Sequence, residues 1–171
     1  HMFLRVDKND SNYGRINLKN INFKEYDIVV ISDYDKGFVT EEDIETISRL
    51  HAVTFLDTKK KLGNWCENIK FIKINNFEYD KTKDSLTSQL KDKMIITLGG
   101  GGAQYQGKIF PVDKVEVKDV AGAGDTFIAG LVVKYSETQS IADSIDFANQ
   151  CATLAVQKRG VSIVGGKNEV H

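Results

Sequence analysis

The sequence predicts an α/β fold, a mostly parallel sheet flanked by helices, and three observations lead there. Short apolar runs rich in β-branched residues alternate with stretches of helical period. Each run ends in polar or glycine residues. The chain holds 41% hydrophobic and 27% charged residues, the balance of an ordinary globular protein, and 171 residues suffice for one sizeable core.

The elements follow in order. "DIVVIS", Asp27 to Ser32, reads as a buried strand. Thr40 then caps "EEDIETISRL", whose acidic first turn suits a helix N-terminus and whose Ile44, Ile47 and Leu50 share a face. "VTFLD" ending at Asp57, "IKFIKIN" ending at Asn75 and "MIITLGG" from Met94 are the next strands. Carboxyl ends of strands surround the ligand crevice in open α/β sheets. Asp33, Asp57, Lys59, Asn75, Glu78, Thr97 and Gly99 are therefore candidates to line one site. After Gly102 come three short strands, "AQYQ", "KIFPV" and "KVEV", with turns at Gly107 and Asp113. One helix begins within the glycine stretch and runs to about Tyr135. A second follows Ser140, where Ser140 and Asp143 resemble a capping box. Its Ile141, Ile145, Ala148, Ala152 and Ala155 form one stripe and Phe147, Cys151 and Leu154 another, so it is expected to be buried on more than one side. Lys158, Arg159 and Gly160 close it before a final strand, "VSIV". No internal repeat, low-complexity segment or interdomain linker interrupts the chain.

Charge and cysteine content exclude several function classes. Lys plus Arg number 23 against 24 Asp plus Glu, a net charge of -1, so no global field draws the chain to nucleic acid or an anionic membrane. The apolar runs are too short to span a bilayer, and the expected location is soluble and cytoplasmic. Cys66 and Cys151 stand far apart without a CxxC, as reduced thiols rather than a disulfide framework or zinc site. His51 has no partners at metal spacing and reads as a surface residue. "HM" at residues 1–2 looks like the remnant of a cleaved tag, which sets it apart from 3–171.

The chemistry concentrates in "DVAGAGDTFIAG", Asp119 to Gly130. A strand, a small-residue connection and a helix place the amides of Gly122, Ala123 and Gly124 at a helix N-terminus, where free N–H groups and the helix dipole attract an anion. Asp125 follows at the helix start, positioned to take a proton from an incoming hydroxyl while the amides stabilise charge on a transferred phosphoryl group. The plainer alternative is that Asp125 caps the helix and the glycines turn the chain. "GAGDTF" has Phe127 where a dinucleotide-binding GxGxxG needs its third glycine, and no GxxxxGK[ST] occurs.

"DVAGAGDTFIAGLV" matches in full the C-terminal signature of the ribokinase, or PfkB, family of carbohydrate kinases, and the chain is identified by resemblance as a member of it. The resemblance implies a ribokinase-like fold. It implies Asp125 as the base that activates a sugar hydroxyl, and Gly122, Ala123 and Gly124 as the anion hole. "NNFE" keeps Asn75 and Glu78 at the family's NxxE spacing, with Glu78 organising magnesium, often through water; the usual Pro is Ile74 here. "TLGGGG" keeps Thr97, Gly99 and Gly102 at the TxGxxG spacing of the nucleotide site, and Asn149 and Gly160 border the adenine pocket. ATP and Mg2+ are the implied cofactors, with a monovalent cation as a further candidate.

"SDYDKG", Ser32 to Gly37, is similar to the SDYxKG of heptose-phosphate kinases, the kinase half of bifunctional heptose kinase/nucleotidyltransferases, and "FLRVD" to the Arg-x-Asp strand before it. Asp33 and Lys36 are thereby weak substrate candidates. Where that branch carries DPKG this chain has "DTKK", in which Lys59 survives as a candidate phosphate contact. The resemblance covers the C-terminal half or so of the family fold, without its N-terminal Gly-Gly signature, most of the sugar pocket or the β lid. Expected partners are therefore a nucleotide and a sugar or sugar phosphate, with no nucleic acid or membrane. The uncovered strand edge is expected to pair with a second copy or a missing N-terminal half, or else leave the chain marginally stable and without appreciable kinase activity alone. The rival reading is a nucleotide-binding regulatory or assembly module. Each site residue also has a structural alternative: Asn75 and Glu78 as a helix cap, Asn149 as a satisfied core amide, Lys59 to Lys61 as a solvated basic turn, and Asp33 with Lys36 as a loop ion pair.

Overall fold

The computed structural model describes residues 14–160, in two compact units that meet in sequence at Ile96 and Thr97. "FLRVD" and "VSIV" lie outside the described residues.

The first unit holds strands β1 (Val29–Asp33), β2 (Thr54–Thr58), β3 (Phe71–Asn75) and β4 (Met94–Thr97), lying in that order. β1 pairs with β2 and β2 with β3 in parallel, with Ser32 opposite Asp57 and Asp57 opposite Lys73. Every residue of β2 is buried, as a strand covered on both faces should be. β1 differs from the buried strand that its sequence predicts. Its residues alternate, with Val30 and Ser32 exposed and Ile31 and Asp33 buried, so only one of its faces meets the core.

Helix α1 (Glu41–Leu50) starts on a full capping box: the Thr40 hydroxyl accepts from Asp43 N–H, and the Asp43 carboxylate accepts from Thr40 N–H. Ile44 and Ile47 are buried, whereas Leu50 is exposed. α2 (Asn76–Thr82) begins at Asn75, and the short α3 (Ser88–Lys91) at Thr87, whose hydroxyl accepts from Leu90 N–H. The core gathers Ile31, Phe55, Leu56, Ile72 and Ile95, with the Phe55 and Phe71 rings 5.1 Å apart. His51 is not merely a surface residue: Nε2 donates to Tyr26 O at 2.8 Å and Nδ1 accepts from Val53 N–H at 3.2 Å.

The second unit contains β5 (Ala103–Tyr105) and β6 (Lys108–Phe110), an antiparallel hairpin turning through Gln106 and Gly107 at positive φ. The third predicted strand, "KVEV", does not form: residues 111–120 carry no regular structure. A strand needs a ladder partner, and this segment instead donates the Lys118 and Asp119 N–H groups to Val156 O, at 2.8 and 3.2 Å.

Two long helices follow, α4 (Ala123–Thr138) and α5 (Ile141–Val156), packed on each other. The start of α5 is half of the expected capping box. The Ser140 hydroxyl accepts from Asp143 N–H at 3.3 Å, but Ser140 N–H is taken by Thr138 Oγ1. Ile145, Ala148, Cys151 and Ala155 are buried among its apolar residues. Both cysteines are free thiols, and burial pushes the pKa of each upward. Among the described residues no helix is long and apolar enough to cross a membrane.

Candidate active site

The glycine stretch of the second unit is held at both ends by Asp119. Oδ1 accepts from Ala121 N–H at 3.0 Å and Oδ2 from Gly160 N–H at 3.1 Å, and these two bonds lower the Asp119 pKa. Gly122 is the N-cap of α4 at φ 75°, a left-handed conformation that a side chain would strain. The first intrahelical bond is Thr126 N–H to Gly122 O, at 2.8 Å. Gly122 and Gly124 contribute amides ahead of that bond, while Ala123 N–H is spent on Val120 O at 3.2 Å. Asp125 is exposed on the first turn.

Beside this turn opens a cleft of about 470 Å³. Of the residues singled out from sequence, Thr97, Gly99, Gly102, Ala123, Gly124 and Asn149 line it. Asn149 is also the core amide weighed above: it is 5% exposed and donates from Nδ2 to Phe110 O at 2.9 Å. Gly160 lies at the loop after α5, tied to Asp119 rather than lining the cleft. Sequence reasoning missed the apolar wall, which is made by Val112, Val115, Val117 and Val120 with Ala152 and Val156 of α5. Its signal was the valine spacing in "PVDKVEVKDV", which reads as a strand.

The first unit carries the remaining candidates. Asn75 and Glu78 form a reciprocal capping box: Glu78 N–H donates to Asn75 Oδ1 at 2.8 Å and Asn75 N–H to Glu78 Oε2 at 3.1 Å. The other oxygen, Oε1, holds Lys59 Nζ at 2.5 Å. Lys59 to Lys61 are thus not simply a solvated turn. Lys60 is nearly buried, 3.2 Å from Asp33 and 2.5 Å from Asp35; burial opposes its charge, but the bonds to Asp35 and Asp33 outweigh it and raise its pKa. Lys60 is thus a cation beside Asp33, a partner that the sequence reading did not name, while Lys36 sits in the exposed loop after β1. Asp33 also accepts from Thr58 Oγ1 at 2.7 Å and from Asp35 N–H at 3.1 Å. A second buried pair, Lys73 with Asp57 at 2.7 Å, joins β3 to β2.

No group of three or more His, Cys, Asp or Glu side chains that could cage a metal occurs among the described residues. Glu78 has one oxygen on Asn75 N–H and the other on Lys59, so a cation near it would be reached through water or after Lys59 moves away.

The fold is that of the ribokinase-like proteins. Ribokinase from Thermotoga maritima matches with a TM-score of 0.67 at 18% identity, over 85% of this chain and 56% of that one. Ribokinase from Arabidopsis thaliana, solved with ribose and ATP, matches with a TM-score of 0.63 at 21% identity, over 81% of this chain and 52% of that one. The model of the pfkB family of carbohydrate kinases matches residues 54–165, and the chain belongs to that family. Bifunctional protein HldE of Sulfurimonas denitrificans is 36% identical over 81% of this chain and 34% of its own length. Its namesake in Helicobacter pylori strain G27 is 32% identical over 82% and 35%. The chain thus spans about a third of the length of these curated relatives.

Proposed function

We propose that this chain is the C-terminal, nucleotide-binding and catalytic part of a kinase. The kinase transfers the γ-phosphoryl group of ATP to a hydroxyl of a sugar or sugar phosphate, with a heptose 7-phosphate-like acceptor favoured. The observation that carries the reading is the start of α4, where a left-handed Gly122, small residues and Asp125 stand together beside the cleft. The heptose preference rests on "SDYDKG" and on the relatives named HldE.

The nucleotide base occupies the apolar cleft, and the Gly122 to Gly124 segment receives the transferred phosphoryl group. The Gly122 and Gly124 amides, ahead of the first intrahelical bond, would stabilise the developing negative charge, and the small side chains at 122–124 leave room for phosphate oxygens. Asp125 takes the proton from the acceptor hydroxyl as its oxygen bonds to the γ-phosphorus and the bond to the β-phosphate oxygen breaks. When bound, magnesium supplies neutralisation of phosphate charge, and Glu78 is the residue that would hold it through water. Lys59, now paired with Glu78, is a candidate phosphate contact.

The test uses the complete gene product with ATP and heptose 7-phosphate, and compares Asp125→Asn with wild type. Turnover is expected to fall by about 10² to 10⁴ while nucleotide affinity stays nearly unchanged, the usual worth of a general base. Near-wild-type single-turnover rates in the variant would remove Asp125 from that role. Absence of ATP-dependent phosphorylation of any sugar phosphate would favour the binding-module reading.

A further inference from the structure

We infer that Lys60 is a positioning residue for the phosphoryl acceptor: by bridging Asp33 and Asp35 it clamps the 33–37 loop to the end of β2 and fixes the pose in which that loop meets a sugar phosphate. This rests on the reading above, in which "SDYDKG" sets the heptose preference. The backbone path brings the cation to the loop. Asp33 and Thr58 are register partners at the carboxyl ends of β1 and β2, and Lys59 N–H extends the ladder to Asp33 O at 3.1 Å. Lys60 N–H then donates to Thr58 Oγ1 at 3.1 Å, which turns the chain just past β2. From there the Lys60 ammonium reaches Asp33 Oδ2 at 3.2 Å and Asp35 Oδ1 at 2.5 Å.

The two carboxylates that it joins are unlike. The Asp33 side chain is 4% exposed, and its oxygens hold the loop itself: Oδ1 accepts from Asp35 N–H, and Oδ2 from the Thr58 hydroxyl as well as from Lys60. The Asp35 side chain is 52% exposed, on a left-handed backbone at φ 57° that Asp tolerates without favouring, so the shape of the loop depends on what holds it. Lys60 compensates the buried charge of Asp33 and fixes Asp35 at the surface with the same ammonium. Its side chain is only 8% exposed, so water competes little for either bond. The far end of the loop is tied by Ile16 N–H to Phe38 O at 3.0 Å. Between these ties the exposed side chains are Tyr34 and Lys36, and any slackening of the clamp moves them relative to an acceptor. The device is particular to this chain. "DTKK" puts Lys60 where the similar DPKG has glycine, and a glycine cannot make the bridge.

Steady-state kinetics of the complete gene product with ATP and heptose 7-phosphate, joined to hydrogen exchange over residues 33–38, compares wild type with Lys60→Met and Asp35→Asn. Lys60→Met is expected to raise the acceptor KM by about 10- to 100-fold, to leave the ATP KM within about twofold, and to speed amide exchange in the loop. Asp35→Asn removes the exposed end of the bridge without stranding a buried charge, so it folds even where Lys60→Met does not, and it should raise the same KM by about threefold. An acceptor KM unchanged in the folded variants, or a rise shared equally by ATP with loop exchange unaltered, would overturn the inference while leaving the kinase reading in place. A wild-type enzyme that phosphorylates no sugar phosphate would overturn the kinase reading and the acceptor role of Lys60 with it.

Discussion

Gly102→Ala should be among the most damaging small substitutions in this chain, and the reason is a backbone contact rather than a ligand. Gly102 adopts φ 85° and ψ -128°, a conformation that L residues rarely enter. An added Cβ would lie 2.0 Å from Phe110 O and 3.0 Å from Pro111 Cα. That carbonyl is the one Asn149 Nδ2 bonds, so the residues after β6 cannot shift away without breaking a buried hydrogen bond. Backbone strain contributes about 1–3 kcal/mol. The orphaned amide contributes another ~1–3 kcal/mol, for a total of roughly 2–6 kcal/mol. At ~2–4 °C per kcal/mol for a chain of this size, Tm should fall on the order of 10 °C. Gly107→Ala is the control: its φ of 79° is as unfavourable, but nothing lies within 4 Å of its Cβ, so it should lose only ~1–2 kcal/mol. Paired thermal and urea denaturation measure both. Equal losses in the two variants would show that the contact with Phe110 O has no consequence and would refute the reasoning.

Two further outcomes follow from the charged groups. Lys73→Met leaves Asp57 buried without its cation and should cost about 3–5 kcal/mol, most of it recovered in Asp57→Leu/Lys73→Met; a single variant as stable as wild type in urea would show the pair to be dispensable. Asp119 titrates below the ordinary carboxylate range, so the unfolded chain takes up its proton first as the pH falls. The tether to Ala121 and Gly160 is then complete at neutral pH and near pH 5, and is lost as pH falls below about 4 through the lowered native pKa. The Ala121 and Gly160 amide resonances should move together in that acid range, and a midpoint above pH 5 would contradict the two bonds.

The candidate site was legible in unequal parts. The start of α4 was readable because a left-handed turn into a helix needs only contiguous small residues, all within Gly122 to Gly124. Asn75 and Glu78 were readable twice, as a family pattern and as a cap, and the capping box shows that the same spacing serves the helix start whatever else Glu78 does. The valine wall was not readable. "KVEV" has the β-branched content of a strand, yet strand formation depends on a partner that the local sequence does not name.

By itself the sequence determined the alternation of strands and helices, the caps at Thr40, Asn75 and Ser140, the cleft-side candidates and the kinase family, because each rests on residues a few positions apart or on a contiguous signature. Tertiary structure alone decided that Lys60 sits by Asp33, that Lys73 faces Asp57, and that Asn149 holds the carbonyl which makes Gly102 obligatory. Strand register sets Asp57 opposite Lys73 across 16 residues, and Asn149 reaches Phe110 across 39. Contacts at such separations are fixed by how elements pack, and a linear pattern carries only the propensities of the elements themselves.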